Sequence, residues 1–298
     1  MTRLSLTLVL AATLVACKGG DTDDTGGGDP FDAFEPADLT DPVVVVEMAN
    51  NASAPNAYTL AVLFGAALEN EDGTCPTRSE TDGSVTYTGG CTDSDGDVWV
   101  GSAVVNQTGE SSGVITYEGL GVTSTEDCDG GGTVETTELF DGTVTISEDG
   151  SFEIDMTGSG TDVDAAACTG QDSTFAIEYS GSQVEESDAV TRWSGQGRFG
   201  TSLRGMVEMS TADEITDDDG CSSEAESGST TMSADGHEVV ITYDGATDCD
   251  PESTVTWTLD GADQGELEGV ECGTGFGASA MTAGMALLLV LGLRRRRE

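Results

Sequence analysis

From residue 43 to residue 270 apolar and polar positions alternate in short runs. The stretch "SFEIDM" puts Phe152, Ile154 and Met156 on one face, "STFAIEY" does the same with Phe175, Ile177 and Tyr179, and "TVTWTL" with Val255, Trp257 and Leu259. A period of two, with threonine or acidic residues on the opposite face, predicts half-buried strands. Asp-Gly steps at Asp82-Gly83, Asp141-Gly142, Asp149-Gly150 and Asp260-Gly261 separate the runs and predict tight turns. Short turns imply antiparallel meander connectivity. The stretch "AYTLAVLFGAALE" (57–69) fits a helix or a long strand, and the lack of helix start and stop signals favours a strand. The expected fold is all-β: a large twisted antiparallel sheet, closing towards a barrel or packing as a sandwich. A transmembrane β-barrel is disfavoured, because its outward face would be apolar with aromatic girdles, and here that face is Thr, Ser, Asp and Glu.

The landmarks of this pattern recur. Cys75, Tyr87, Trp99 and Cys128 are echoed by Cys168, Tyr179, Trp193 and Cys221, at offsets of 93, 92, 94 and 93 residues. "VTYTGG" (85–90) matches "IEYSGS" (177–182), and a partial third copy follows as "ITYDGATDC" and "VTWTLDG". Such spacing predicts a duplicated β-unit. Trp99, Trp193 and Trp257 then read as core anchors; the sharper alternative is an aromatic platform for sugars.

Both ends depart from the alternation. Arg3 precedes an apolar run, Leu4 to Val15, which is too short to span a bilayer and fits the apolar region of a secretory signal. Leu14-Val15-Ala16-Cys17 closes it. This pattern resembles the lipobox of bacterial lipoproteins. The resemblance implies cleavage after Ala16, a lipid on Cys17 and a membrane anchor made by export, lipidation and processing enzymes. Lys18 follows the cysteine, where in this family an aspartate favours inner-membrane retention, so the resemblance implies the outer membrane or cell surface. Residues 17–42 are rich in Gly, Asp, Thr and Pro, and are expected to be a disordered acidic tether. At the other end Cys272-Gly273 precedes an apolar segment, Phe276 to Leu293, and the block Arg294 to Arg297. The segment is marginally long enough to span a membrane, with the arginines cytoplasmic. This layout resembles the MYXO-CTERM sorting tail, which implies a transient anchor cut near the cysteine by a dedicated protease. A permanent transmembrane helix over 272–298 is the alternative. The division is thus a signal peptide (1–16), a tether (17–42), a β-rich extracytoplasmic domain (43–271) and a tail (272–298).

Charge narrows the partners. The chain has 56 Asp and Glu against 10 Lys and Arg, a net charge of −46. That excludes nucleic acid, whose phosphates would be repelled, and favours solubility and attraction of cations. Of eight cysteines, Cys17 and Cys272 belong to the ends; Cys75, Cys91, Cys128, Cys168, Cys221 and Cys249 remain. Six cysteines in an exported chain predict three disulfides among fifteen connectivities. Nearest-neighbour pairing would give Cys75–Cys91, Cys128–Cys168 and Cys221–Cys249. A zinc site is disfavoured, since there is no Cys-x-x-Cys pair and His237 is the single histidine.

No catalytic constellation emerges: the chain has no Gly-x-Ser-x-Gly, phosphate loop or His-Glu-x-x-His pattern. The best candidate site is "CTDSDGDVW" (91–99), where Asp93, Asp95 and Asp97 alternate as calcium ligands do. Val98 and Val104 stand where an EF-hand needs glycine and glutamate, so a solvated turn is the preferred reading and calcium the sharper one. No other cofactor is implied. Two function classes remain: a non-catalytic cell-envelope lipoprotein acting as a structural or binding module, and a secreted carbohydrate-binding protein or hydrolase. Burial of the three tryptophans would favour the first.

Overall fold

The computed structural model describes residues 28–67, 74–81, 83–109, 111–164, 166–187, 189–217, 225–243 and 254–270. The alternating runs form fourteen strands: β1 (Thr77–Thr81), β2 (Ser84–Thr88), β3 (Cys91–Thr92), β4 (Val98–Gln107), β5 (Gly113–Asp127), β6 (Thr133–Ile146), β7 (Ser151–Asp164), β8 (Thr169–Glu185), β9 (Val190–Thr201), β10 (Gly205–Asp217), β11 (Ala225–Ala234), β12 (His237–Tyr243), β13 (Thr254–Leu259) and β14 (Ala262–Glu268). They make one antiparallel sheet whose strand order follows the sequence, with β3 set aside as a partner of β4. One sheet with β1 and β14 at the ends of its order replaces the two-sheet sandwich considered from the sequence.

What fills the sheet is helical. Helix α1 spans Pro42–Ala52 and α2 spans Ala54–Ala67, so the strand expected over 57–69 is corrected to helix across its described part, 57–67. The start signal lies upstream of the apolar run: the Asp41 carboxylate accepts from the Val43 amide at 3.0 Å, with Pro42 at the first helical position. Ser53 ends α1, its amide donating to the Ala49 carbonyl, and its own carbonyl accepts from Ala57 in the first turn of α2. Every residue from 53 to 62 is buried. A helix apolar all round is stable only inside a core, and the sheet wraps it. Partners come from β5, whose Tyr117 hydroxyl donates to the Ala61 carbonyl at 2.9 Å, and from β10, whose Thr211 hydroxyl accepts from the Ala54 amide at 2.9 Å.

The inward faces of the strands join both helices in one hydrophobic cluster. Phe152, Ile154 and Met156 are buried, as are Phe175, Ile177 and Tyr179. Tyr58 of α2 meets Phe152 and Trp193 at ring-centroid distances of 5.1 and 5.4 Å. The Tyr179 ring needs glycine beside it: a Cβ on Gly197 would stand 2.7 Å from Tyr179 Cδ2. Trp99, Trp193 and Trp257 are all buried.

The stretch assigned to the tether is also partly folded. Pro30–Ala33 form a short 3-10 turn, Pro36 bridges to Met206 in parallel, and Phe31, Ala37 and Leu39 are buried. These apolar residues, few in an acidic context, lie buried against the sheet. Among the described residues no helix is long and apolar enough to cross a membrane. The apolar tail of 272–298, with Cys272, and the lipobox ending at Cys17 lie outside the described residues.

Candidate functional site

The Asp93–Asp97 turn closes the short β3–β4 hairpin, where Cys91 faces Trp99 and Thr92 faces Val98. Asp93 is its hub. One carboxylate oxygen, Oδ1, accepts from the amides of Asp95 and Asp97 at 3.0 and 2.9 Å; the other, Oδ2, accepts from the Trp99 indole at 2.9 Å. This is an aspartate-capped turn in which the side chain stands in for a backbone acceptor. Both oxygens are used to fold the loop and to satisfy a buried tryptophan. Burial, together with repulsion from Asp93 and Asp95, holds the Asp97 carboxyl above its ordinary range. Among the described residues no group of three His, Cys, Asp or Glu side chains is arranged to hold a metal ion. The alternation Asp93, Asp95, Asp97 thus builds a turn folded around the Asp93 carboxylate.

Two disulfides are present, Cys75–Cys91 and Cys128–Cys168, with Cα atoms 5.8 and 5.4 Å apart. The first ties the start of β1 to β3. The second ties the end of β5 to the entry of β8, across the β6–β7 hairpin. Cys221 and Cys249 lie outside the described residues.

Sequence reasoning missed a polar cluster inside the core. Along β10 the alternation Val207, Met209, Thr211 points inward, and would bring Asp213 next. Instead the register shifts between Thr211 and Glu214, and Asp213 takes φ +51°. This bulge turns Glu214 inward, where it is fully buried. Its Oε2 accepts from the Thr230 hydroxyl at 3.4 Å; Thr230 also meets the hydroxyls of Thr211 (3.2 Å) and Tyr243 (3.3 Å). Nearby, the Trp193 indole donates to Thr216 at 3.0 Å. Burial raises the Tyr179 phenol above its usual range. The Glu214 carboxylate thus meets the Thr230 hydroxyl inside the core. Nothing in "MSTADEITD" signals the bulge except an aspartate able to adopt a left-handed backbone.

His237 is on the surface. Its Nδ1 lies 2.9 Å from Asp260 Oδ2, and Asp260 Oδ1 accepts from the Glu238 amide at 2.9 Å. The hydrogen bond to Asp260 raises the imidazole above its ordinary value.

The outer face is a ladder of polar side chains. Across successive strands Thr143, Asp155, Glu178, Arg198, Glu208, Ser233 and Glu238 stand side by side. An open groove of about 520 Å³ crosses it, lined among others by Glu178, Ser180, Gln196, Arg198, Glu208 and Glu238. Arg198 is already paired with Asp29 and Glu178. Each of the other arginines of the described body is paired too: Arg78 with Glu80, Arg192 with Glu186 and Asp213, and Arg204 with Glu47.

No family model, no curated protein and no solved structure matches this chain.

Proposed function

We propose that the chain is a non-catalytic cell-envelope lipoprotein, anchored through Cys17, whose β-rich body serves as a structural or binding module on the extracytoplasmic side. The observation that carries this reading is the filled interior: residues 53–62 and all three tryptophans are buried together. Concave space, which an enzyme of this architecture would use for substrate, is taken by α2. Two disulfides fit an oxidising compartment. The polar outer face fits a body held in water. The C-terminal tail is read as a transient sorting anchor, and Cys221–Cys249 as a third disulfide.

The echo of about 93 residues is read as a duplicated β-unit. Burial of Tyr87 and Tyr179, and of Trp99 and Trp193, supports this reading. The disulfides do not repeat with it: Cys75 pairs with Cys91, whereas its counterpart Cys168 pairs with Cys128.

Intact mass spectrometry of the mature protein from its native host tests the reading. The expected mass is that of a chain starting at a diacylglyceryl-modified Cys17, cut near Cys272, with the six remaining cysteines oxidised. Labelling with a fatty-acid analogue should vanish in Cys17→Ser. A mature chain that begins elsewhere and carries no lipid would refute it.

A second reading, carbohydrate binding, draws on the groove lined by Ser180, Gln196 and Glu208, side chains that exchange hydrogen bonds with hydroxyls. A glycan array would show it, and weakening by Gln196→Ala would place it.

A further inference from the structure

The chain enters the fold across the outer face of the sheet. Asp29 accepts from the Phe31 amide at 3.0 Å and so caps the short turn over Pro30–Ala33. Its other oxygen accepts from Arg198 Nη1 at 2.8 Å, and the same guanidinium donates to Glu178 on the neighbouring strand. The Arg198 carbon Cζ lies 4.2 Å from the centre of the Phe31 ring, which is 5% exposed. A guanidinium over an aromatic face is attracted by the ring quadrupole. One side chain thus grips the segment by charge, hydrogen bond and stacking together.

The grip continues downstream. Phe34 lies on Gly200, where a Cβ would stand 2.6 Å from its ring. The Ala37 amide donates to the Met206 carbonyl at 3.0 Å and the Met206 amide to the Glu35 carbonyl at 2.8 Å. Leu39 is fully buried, and Glu47 of α1 pairs with Arg204 beside the β9–β10 turn. Arg198 and Arg204 are two of the four arginines in the described body. A chain with 56 acidic and 10 basic residues therefore spends half of these cations at the point where its N-terminal segment meets the sheet.

We infer that residues 29–39 are a strap with Arg198 as its clasp, and that the clasp sets how far the body stands from its anchor. The second half of this statement rests on the lipid at Cys17; the first does not. With the strap closed, twelve residues separate Cys17 from Asp29, a span of at most about 40 Å when extended. With it open as far as Asp41, twenty-four residues separate them, and the limit doubles to about 80 Å. Opening it that far would uncover Phe31, Phe34, Ala37 and Leu39 and release the two backbone bonds to Met206, while leaving the bonds between strands intact.

Hydrogen exchange read by mass spectrometry on the full chain tests this. In Arg198→Gln the amides of Phe34, Ala37 and Met206 should exchange about five- to tenfold faster, with those of β7 and β8 unchanged. Arg198→Lys should recover part of the protection, since it restores the charge but not the fork or the stacking. Should Arg198→Gln loosen the whole sheet, Asp29→Asn decides, because it removes one partner of the clasp at an exposed position. Acceleration confined to 29–39 and Met206 in that variant supports the strap; unchanged exchange there overturns it. The same measurement on Cys17→Ser gives the strap result without the lipid. A failure of the anchor reading therefore shows in the labelling experiment and leaves the exchange result standing.

Discussion

The Tyr117 hydroxyl donates to the Ala61 carbonyl at 2.9 Å, fastening β5 to a helix fifty-six residues earlier in the chain. The phenol is buried, and burial raises it above its ordinary range, which favours the neutral, donating form. Tyr117→Phe keeps the ring, whose centroid lies 6.1 Å from that of Phe140, and removes only the donor. The expected loss is about 1–2 kcal/mol, the usual cost of deleting one member of a buried hydrogen bond. Urea denaturation of the two proteins should show a lower midpoint with an unchanged slope. Equal midpoints would mean that this hydrogen bond adds nothing to the hold on the helix.

The strands were legible because their signal is local. Phe152, Ile154 and Met156 alternate with acidic residues, and only one face could enter the core. The helices were not, because theirs is tertiary. Val43 to Val46 are four β-branched residues in a row, poor helix formers by propensity, yet α1 forms because its partner α2 fills the sheet. The cue that was present, Asp41-Pro42, stands before the apolar run. Phe31 and Leu39 look isolated among aspartates and glycines, so composition assigned them to a tether; their burial depends on Gly200, Arg198 and Met206, about 170 residues away. The inward turn of Glu214 depends on a one-position register shift that alternation cannot register. In the candidate turn the sequence alone sets Asp93, Asp95 and Asp97 close together. It could not show that the Trp99 indole and two amides would occupy Asp93.

His237 offers a clean pH test, because the single histidine of the chain gives a single imidazole signal. The hydrogen bond and charge of Asp260 raise its pKa above 6.5, while the Glu238 amide and His237 lower that of Asp260 below 3.8. A raised histidine contributes its full stabilisation below the unfolded value and loses it as pH rises through the folded one. The lowered aspartate contributes above its unfolded value and loses that contribution as pH falls through the folded one. The pair therefore helps between the two folded values, and only slightly, since both groups are exposed. In an NMR titration His237 should show a midpoint above 6.5, moving down in Asp260→Asn. A midpoint indifferent to that substitution would mean the contact does not persist in solution.

Glu138 should make stability fall between weakly acidic and neutral pH. It is half-buried between Thr136 and Phe140, which face the core from the same strand. Burial first, and repulsion from Glu126 second, push its carboxyl from 4.5 up to about 7. The folded state then holds a proton between these values that the unfolded chain has released. Stability consequently drops as pH rises from 4.5 through 7 and levels off above. Glu138→Gln removes the ionisable group and keeps the shape. Its midpoint in urea should match the wild type near pH 5 and exceed it near pH 8. The same gap at both pH values would refute the assignment of this dependence to Glu138.

Salt should stabilise this protein more than it does an ordinary acidic domain. The chain carries 56 acidic and 10 basic residues, and the four arginines of the described body are already paired. On the outer face Asp155 stands directly across from Glu178, and like charges so placed repel. Folding brings such pairs closer than they are in the expanded chain. Two exposed unit charges about 4 Å apart cost roughly 1 kcal/mol in water, and added salt shortens the screening length from about 10 Å at 0.1 M to about 3 Å at 1 M. Relief of about 2–3 kcal/mol would raise Tm by roughly 5–10 °C for a body of this size. The strap pairs work in the opposite direction, because screening also weakens Arg198–Asp29, but they are few beside the unpaired carboxylates. At matched ionic strength, millimolar calcium should do no more than sodium chloride, since Asp93 is committed to its turn. A calcium-specific rise abolished by Asp95→Asn and Asp97→Asn would establish a site there after all. A Tm that stays flat from low to high salt would sink the electrostatic argument.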